Sequence, residues 1–563
     1  MASAQSHCRS MTQYVQLFFT LLIGNATLVS FTVVTGENIA FYTPTGSYSH
    51  RVSMWPLVEK LVANGHHITF ISAYPPKNPL PNVTEIIPEQ MAKHANDYMQ
   101  GGDLDITRRI SGTLEPCYDH GPRLGLDTCE KFLDDPVVKK WLETDPKIDL
   151  FIVDWFVSEC ILGLAYKQKA PFILYAPTVM VSIFYETFGF LPDSAGIPDF
   201  EHHFTPPMSF LERANNAMQP LIYLYKMGIY YDELGKMIRE KLDIPDMPPL
   251  QDIVRNASLM MWSESVIEGY AHSLPPNWIT VGGMHCKEKT DPLPKDLEQI
   301  VQKGKDGFIY ISFGSAVVPG NLPQGHRDAF FNAIKAFPNI QFLWKWTGIM
   351  PQEAIPSNLY IGNWFPQQFF KNFKSQILNF LLYCTTAHKN ILAFVTQAGR
   401  PSTQEAIFHG VPVIVVPVFE DQDYTAERIR DMGGGIKVEI ATITKEEFEG
   451  AIREITTDPK FKSTMKRLST IFRDRPMKPA DLAFYWTEYV LRHKGNLDHF
   501  RTSSYHLTWY QRRLLDVWAA IIGAFFVLST ILLIFIACCL KSIFKSNNGT
   551  SKNVKGLAKK KRQ

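Results

Sequence analysis

The sequence predicts an α/β protein with two doubly wound domains and one membrane-spanning helix near the C-terminus. Two observations predict the domains. Short β-branched runs alternate with longer helical patterns, and these runs are apolar almost without interruption, as in parallel strands that helices cover on both faces. The third observation is the uncharged run 517–540, which is long enough to cross a bilayer core of about 30 Å.

Composition narrows the class of protein. The chain has 563 residues, of which 45% are hydrophobic, and its formal net charge is +2. This balance gives no indication of nucleic acid as a partner. Eight cysteines are too few for a disulfide scaffold in a chain of this length. Cys117 and Cys129 either form a disulfide in an oxidising compartment or remain two free thiols.

The N-terminus has the pattern of a secretory signal peptide at residues 1–36. Arg9 precedes an apolar run, and small or β-branched residues end it at Gly36, which suits cleavage. A retained signal anchor is the alternative. We predict Glu37 as the mature start because residues 37–50 already have the pattern of a strand and a loop.

The predicted strands form two groups. They lie at residues 39–43, 67–72, 150–154 and 172–176, and then at 308–313, 341–345, 392–396, 412–417 and 435–439. A stretch rich in Pro and Gly near 274–294 separates the groups. We predict an N-terminal domain at 37–275 and a C-terminal domain at 276–495, with the ligand in the cleft at the carboxyl ends of the strands.

The last part of the chain predicts a single-pass topology. A juxtamembrane segment, 496–516, precedes the span at 517–540, and the basic tail 541–563 contains no acidic residue. By the positive-inside rule the tail is cytosolic and the bulk of the chain is lumenal. Asn82 and Asn256 begin Asn-x-Ser/Thr triplets, which are glycosylation acceptors in such a compartment.

The densest chemical signal lies at 394–406, where a predicted strand ends in a turn of small residues and a helix begins near Ser402. Such a turn presents free backbone N–H groups and the positive end of a helix dipole to an anion. Glu405, one turn into the helix, suits a ribose hydroxyl. The alternative is a capping box formed by Ser402 and Glu405, which needs no ligand.

Three motifs together resemble the signature of the UDP-glycosyltransferases. The first is the turn and helix start at 394–406, called the donor turn below, with the buried strand and polar pair that follow it at 410–422. The others are the Trp-Phe-Pro-Gln-Gln run at 364–368 and Phe313-Gly314-Ser315. The resemblance extends from about residue 37 through the membrane span. It implies the GT-B fold of two facing Rossmann-like domains, a UDP-sugar as co-substrate, and neither a metal nor another cofactor.

The resemblance assigns roles on the donor side. Trp364 would stack on the uracil, Gln367 would bind the nucleotide, and Ser315 would line the same pocket. The diphosphate would be held at the turn by Gln397, Gly399 and Ser402, and the ribose by Glu405. The sugar hydroxyls would bind Asp421 and Gln422.

The N-terminal half is expected to provide the base and the acceptor site. His50 follows the first predicted strand in a loop, and a neutral imidazole can take a proton from an acceptor hydroxyl. Asp154, at the end of the strand at 150–154, would orient and stabilise the imidazolium. These positions match the base and orienting residue of the family, which implies inverting transfer to a small lipophilic acceptor. We favour glucose over glucuronate, since Arg428 is the one cation noted near Asp421 and Gln422.

The chain departs from the family pattern in three places. Most relatives have His and Gly where this chain has Gln397 and Ala398. Residues 369–386 intervene where the family has a short spacer, which indicates a retained intron or gene-model error, or else a genuine insertion. The C-terminus, Lys560-Lys561-Arg562-Gln563, resembles a dilysine retrieval signal of the endoplasmic reticulum, and a plain basic tail is the alternative.

Three other classes of function compete with this assignment. A metal-dependent reaction would use Asp103-Leu104-Asp105 or Asp421-Gln422-Asp423, but Asp-x-Asp is common by chance. A non-catalytic nucleotide- or lipid-binding relative would explain the departures at Gln397, Ala398 and 369–386. A receptor with an α/β ectodomain is disfavoured by the intact motif residues. Partners are therefore a UDP-sugar, a lipophilic acceptor and a membrane, with a homo-oligomer left open.

Overall fold

A computed structural model describes residues 36–45, 47–76, 79–101, 105–179, 182–288, 293–363 and 386–560. The predicted signal peptide, apart from Gly36, lies outside the described residues. The same holds for Trp364, Gln367 and the intervening segment, apart from Thr386.

The first sheet has seven strands, all parallel, in the order β3-β2-β1-β4-β5-β6-β7. The strands are β1 Asn38–Thr43, β2 His67–Ser72, β3 Val83–Ile86, β4 Leu150–Asp154, β5 Phe172–Ala176, β6 Leu259–Trp262 and β7 Trp278–Thr280. Its helices are α1 Tyr48–Ala63, α2 Glu89–Gly101, α3 Ile106–Ser111, α4 Cys117–Asp134, α5 Pro136–Glu143, α6 Leu162–Gln168, α7 Ser182–Thr187, α8 Phe210–Leu242 and α9 Leu250–Arg255.

The second sheet has six parallel strands in the order β10-β9-β8-β11-β12-β13. The strands are β8 Gly307–Ser312, β9 Ile340–Lys345, β10 Leu359–Gly362, β11 Ile391–Thr396, β12 Val413–Val415 and β13 Gly435–Lys437. The remaining helices are α10 Lys295–Val301, α11 Gln324–Lys335, α12 Arg400–His409, α13 Gln422–Asp431, α14 Lys445–Thr457, α15 Pro459–Arg473, α16 Pro479–Arg492, α17 Trp509–Arg512 and α18 Leu515–Lys560.

Both sheets follow from the uninterrupted apolar runs in the sequence. All residues of β4, β5 and β8 are buried, because helices cover both faces of a parallel sheet. The first sheet separates two apolar cores, and the second sheet separates two more. The two doubly wound domains that the sequence predicts are therefore present.

Helix α16 crosses from the second half of the chain back to the first sheet. Its Ala483 and Val490 are fully buried in the core that contains Met54 and Leu57 of α1. Strand β7 also belongs to the first sheet although it follows residue 275. Part of the predicted segment 276–495 thus packs with the N-terminal sheet, and the division itself stays a prediction.

One disulfide joins Cys129 to Cys160, and Cys117 is a free thiol. Neither alternative from the sequence is fully correct, because Cys117 is free but Cys129 is bonded to Cys160. Cys129 is fully buried on α4, and Cys160 lies in the short helix that follows β4. The pairing depends on how α4 packs beside the end of β4, which spacing along the chain does not reveal.

The C-terminal helix is a candidate membrane span. Within α18, the 30-residue segment Leu515–Phe544 is long and apolar enough to cross a bilayer, and none of it is buried against the rest of the chain. It includes the predicted span 517–540. Just before it, Nη2 of Arg512 lies 2.8 Å from Oε2 of the buried Glu186, so the juxtamembrane segment is attached to α7.

Candidate functional site

His50 and Asp154 meet at the point where the strand order of the first sheet reverses. Strand β1 ends at Thr43, β4 ends at Asp154, and the two strands are neighbours. Ligand sites of open α/β sheets form at this kind of switch point. Nδ1 of His50 lies 2.7 Å from Oδ2 of Asp154, and the hydroxyl of Thr43 donates to the same oxygen at 2.9 Å.

His50 does not lie in a loop, as the sequence predicted, but in the first turn of α1. Ser47 has extended backbone geometry before the helix, so the chain turns directly from β1 into α1. The side chain of Asp154 is fully buried and that of His50 is 14% exposed. The pair is thus open to a ligand at the imidazole alone.

The carboxylates around His50 favour the charged form of its ring. Burial by itself lowers the pKa of the His50 imidazole, but the charge and hydrogen bond of Asp154 oppose it, together with Asp421 and Glu420. The net effect is a raised pKa. An imidazolium formed during proton transfer would therefore be stabilised at this position.

The turn after β11 forms the opposite wall of the cleft. Ala398 has φ of +69°, and Gly399 in extended geometry precedes α12, which begins at Arg400. The amide oxygen of Gln397 accepts from the hydroxyl of Thr396 at 3.1 Å. Because β8 and β11 are neighbours where the order of the second sheet reverses, Gln397 and Ser315 follow the two strands of its switch point.

The side chain of Gln397 packs against Gly314, whose positive φ in the turn after β8 favours glycine. Gly314 has φ of +71°, and a Cβ atom there would lie 2.2 Å from Nε2 of Gln397. A Cβ on Gly399 would lie 2.8 Å from the same nitrogen. The glycines therefore provide the space that the Gln397 amide occupies.

Ser402 and Glu405 do not form a capping box. Ser402 is the third residue of α12, and Gly399 occupies the capping position, so helix geometry excludes that alternative. Ser402 lines the cleft, whereas Glu405 is buried with Oε1 3.8 Å from Nε2 of His285. The sequence placed the start of the helix two residues late.

Asp421 and Gln422 already have partners in the protein. Oδ2 of Asp421 accepts the backbone N–H of Val179, which lies in the N-terminal half, at 3.0 Å. Oε1 of Gln422 accepts the backbone N–H groups of Val418 and Phe419 at 2.9 and 3.2 Å. Gln422 thus retains its amide N–H groups for a ligand, and Asp421 retains its second oxygen.

One cavity of about 1300 Å³, including its open mouth, lies between the halves. Its walls contain predicted site residues from both sheets, namely His50, Ser315, Gln397, Gly399, Ser402, Asp421 and Gln422. The part beside His50 is apolar and aromatic, with Trp155, Phe156, Phe184, Phe200, Tyr223, Met227 and Tyr231. Three other apolar residues of the same part of the chain, Phe210, Met218 and Tyr225, are instead exposed.

A buried ion cluster beside the donor turn escaped the sequence analysis. Arg400 is 3% exposed, and its Nη2 lies 3.0 Å from Oε2 of Glu264, with Nη1 3.4 Å from Oε1 of Glu268. Burial raises the pKa of Glu264 to about 8, although the Arg400 charge acts in the opposite direction. Neither glutamate had a recognisable motif, so the sequence carried no signal for this cluster.

The two aspartates of the Asp-x-Asp pattern at 421–423 lie in different environments. Asp421 faces the cavity, whereas Asp423 lies 2.6 Å from Nη1 of Arg109 and 2.9 Å from Nζ of Lys437. The carboxylate of Asp423 is therefore already engaged in ion pairs within the protein. In the other pattern Asp105 caps α3 by accepting from the N–H of Thr107, and its companion Asp103 lies outside the described residues.

Solved structures with the same fold are glycosyltransferases. The chain resembles the glycotransferase of kitacinnamycin with a TM-score of 0.53 and 17% identity, over 81% of this chain and 99% of that one. It resembles the spinosyn forosaminyltransferase SpnP with a TM-score of 0.51 and 16% identity, over the same shares. Together with the two parallel sheets, these likenesses show that the chain has the GT-B fold.

Relatives in sequence identify the family. The family model described as "UDP-glucoronosyl and UDP-glucosyl transferase" matches residues 43–553. UDP-glucosyltransferase 2 of Dactylopius coccus is 32% identical over 89% of this chain and 92% of its own length. UDP-glucuronosyltransferase 2B15 of Homo sapiens is 28% identical over 88% and 92%. The chain belongs to this family of UDP-glycosyltransferases.

Proposed function

We propose that the protein transfers a hexose, with inversion, from a UDP-sugar to a hydroxyl group of a small lipophilic acceptor. The sugar that we propose is glucose. One observation carries the proposal: His50, held by Asp154 at 2.7 Å, lines the same cavity as the donor turn at Gln397 and Ser402. A base and a site for the leaving group thus face one another.

The proposed reaction is a single displacement at the anomeric carbon. His50 takes the proton of the acceptor hydroxyl while its oxygen forms a bond to that carbon. The bond from the carbon to the UDP oxygen breaks on the opposite face, so the configuration inverts. Asp154 holds the ring and offsets the charge of the imidazolium. UDP carries away the electron pair of the broken bond.

The donor turn suits the leaving diphosphate. The first N–H groups of α12 have no partner within the helix, and the positive end of its dipole points out of the turn. The Gln397 amide and the Ser402 hydroxyl border the same cavity. Charge that develops on the leaving oxygen would be met by these dipoles. Trp364 and Gln367 stay predictions for the base of the nucleotide.

The charges of the cavity favour a neutral sugar. Among its described lining residues, Arg400 is the one Lys or Arg, and its guanidinium is already paired with Glu264 and Glu268. Arg428, which the sequence analysis noted, donates instead to the carbonyl of Ile267 at 3.3 Å. Among the described residues that line the cavity, a sugar carboxylate would thus meet Asp421 and no unpaired Lys or Arg, and like charges repel at short range.

The apolar wall favours a lipophilic acceptor with a flat ring. Trp155 stacks on Phe184 with ring centroids 4.2 Å apart, and Trp155 donates to Oε1 of the buried Glu159 at 3.1 Å. Aromatic walls of this kind gain affinity from buried area and from offset stacking. We propose that the transfer reaction uses no metal or cofactor, because the ion pairs of Asp423 remove one carboxylate from the Asp-x-Asp pair.

The proposed location is the membrane of the endoplasmic reticulum, with the two domains in the lumen and the tail in the cytosol. The candidate span Leu515–Phe544 and the basic residues after it support this topology. Asn82 and Asn256 are both exposed, as lumenal glycosylation would require. The oligomeric state is left open.

A non-catalytic nucleotide- or lipid-binding relative is the second candidate. Gln397 and Ala398 in place of the usual pair favour it, because a neutral amide donates to phosphate without carrying charge. The segment 369–386 favours it if the spliced message contains it. Turnover of the donor distinguishes this candidate from the transferase.

The deciding experiment measures UDP release by membranes that contain the full chain, with UDP-glucose or UDP-glucuronate and a panel of phenols and sterols. We expect release with UDP-glucose, and a loss of about 10²–10⁴-fold in His50→Ala. His67→Ala, an exposed histidine on β2, is the matched control and should keep full activity. The product of an α-linked donor should carry a β-linkage, which NMR can read.

Three results would change the proposal. Release from UDP-glucuronate alone would overturn the choice of glucose. Activity confined to a version that lacks 369–386 would identify that segment as foreign to the working enzyme. No release from either version with any acceptor, together with retained UDP binding, would establish the binding protein instead.

A further inference from the structure

Three side chains with metal-binding atoms converge at the edge of the cleft. Cys117 and His120 lie in the first turn of α4, three residues apart and therefore on one face of the helix. Glu420 lies in the loop between β12 and α13, in the other half of the chain. The sulfur, the imidazole nitrogen and a carboxylate oxygen all lie within 4.8 Å of one another.

The histidine is already oriented for a ligand. Nε2 of His120 lies 3.1 Å from Oε1 of Glu420, while Nδ1 forms a short hydrogen bond with the hydroxyl of Tyr98. The His120 side chain is 2% exposed, so this orientation is held by packing. Histidines that bind metals in proteins have the same arrangement, with the second ring nitrogen engaged by a neighbour.

A second carboxyl group, that of Glu201, lies beside the cluster. Oε1 of Glu201 accepts the backbone N–H of Cys117 at 2.8 Å and the hydroxyl of Tyr223 at 2.9 Å. Within the described part of the chain, Glu420 pairs with His120 rather than with a Lys or Arg, and Glu201 forms no ion pair. Partly buried carboxylates without a cation are costly, and a bound cation removes that cost.

We propose that Cys117, His120 and Glu420 form a zinc site that bridges the two halves of the molecule. Thiolate, imidazole and carboxylate are the ligands that Zn²⁺ takes at about 2.0–2.3 Å. One thiolate and one carboxylate balance the charge of the ion. Binding transfers the thiol proton of Cys117 to solvent, and no electron is exchanged.

The site is separate from the transfer reaction, which needs no metal, and it acts on the cleft. Cys117 and Glu420 line the cavity, and Glu420 immediately precedes Asp421. Three protein ligands leave a fourth position of the tetrahedron open toward the cavity. Zinc held there would tie α4 to the loop of Asp421 and occupy space beside the acceptor, so it inhibits transfer.

Cobalt is the probe for this site, because tetrahedral Co²⁺ absorbs in the visible and a Co²⁺–thiolate bond adds an ultraviolet charge-transfer band. The full chain is purified in detergent, stripped with a chelator and titrated with Co²⁺. We expect one equivalent to bind with both bands, and Zn²⁺ to abolish them. Cys117→Ser should lose the charge-transfer band, and His120→Gln and Glu420→Gln should weaken binding at least about tenfold.

Cys286→Ser is the matched control, since Cys286 is the other free cysteine of the two domains within the described residues and lies outside the cluster. It should keep both bands. A charge-transfer band that survives in Cys117→Ser, or binding without such a band in the unaltered chain, would overturn the proposal. The spectra require no turnover, so they test the zinc site independently of the proposed transferase activity. Zinc inhibition of UDP release, absent in Cys117→Ser, is the functional counterpart.

Discussion

Nη1 of Arg109 lies 2.6 Å from Oδ2 of Asp423, although 314 residues separate them along the chain. The same guanidinium donates to both oxygens of Glu439, at 3.1 and 2.7 Å. Arg109 belongs to the helix α3 of the first half, and Asp423 lies in the first turn of α13, just after Gln422. This ion pair holds the start of α13 in the second half of the chain against α3 in the first half.

Replacement of Arg109 by Gln tests that contact. We expect the free energy of unfolding to fall by about 2–3 kcal/mol, which is at or below the lower limit of the loss usual when one partner of a buried ion pair is removed. The loss is small because Lys437 remains 2.9 Å from Asp423 and still pairs with it. The KM for the UDP-sugar should rise several-fold with a smaller change in kcat. Thermal unfolding and steady-state kinetics measure the two effects. Lys147→Gln, which removes an exposed ion pair with Asp145, should change neither.

The Arg109 contact also predicts a direction for acid sensitivity. Burial alone raises the pKa of Asp423, but hydrogen bonds from His203 and Arg109 outweigh it and leave the pKa well below its ordinary value. A carboxyl with a lowered pKa stabilises the fold above its unfolded pKa of about 3.9, and that contribution disappears as pH falls toward the folded value. Arg109→Gln should therefore flatten the loss of stability below about pH 4.

Asp154→Asn should change the pH profile as well as the rate. His50 must be neutral to accept a proton, so kcat/KM should fall as pH drops through its raised pKa. Asn at 154 removes the main charge that raises this pKa. The acid limb should therefore move to lower pH while the plateau falls by about 10²–10⁴-fold. Asp149→Asn, which alters contacts with Glu37 and Asn38 at the start of β1, is the control. An unmoved limb would contradict the pairing.

Gly314→Ala should weaken donor binding. The new Cβ would lie 2.2 Å from Nε2 of Gln397, at a backbone φ of +71°. Strain of about 1–3 kcal/mol is expected, and the Gln397 amide must leave its place in the turn. Isothermal titration with UDP should show about a tenfold loss of affinity, which corresponds to 1.4 kcal/mol. Gly325→Ala in α11, where nothing lies within 4 Å, should bind UDP normally.

Cys129→Ser should destabilise the N-terminal half. The disulfide closes a loop with a sequence separation of 31 residues, and a loss of about 2–4 kcal/mol is expected. Chemical denaturation measures this loss of stability. Cys286→Ser, the same substitution at a free cysteine, is the control. Non-reducing peptide mapping should recover Cys129 linked to Cys160. Recovery of Cys117 linked to Cys129 would contradict the structure.

Local patterns predicted most of the strands, and their failures have physical causes. Strands at 67–72, 150–154 and 172–176 have the predicted bounds because apolar runs end there in polar or turn residues. Strands β3, β6, β7 and β10 were missed. Two of them, β3 and β10, are partly exposed edge strands, and β6 is rich in Met, which has no strong strand preference. The first turn of α1 was read as a loop although Ser47 stands at its N-cap position, and the Ser47 side chain makes no capping hydrogen bond there.

Patterns along the chain were sufficient to predict the alternation of buried strands and helices, the apolar C-terminal run and the motifs of the family. These depend on residues that are neighbours along the chain, so composition and spacing reveal them. The pairing of Cys129 with Cys160, the contact of Arg109 with Asp423, and the approach of Cys117 and His120 to Glu420 became visible in the folded chain alone. Each such contact joins elements brought together by packing and strand order, because a side chain's partner is set by distance in space rather than along the chain.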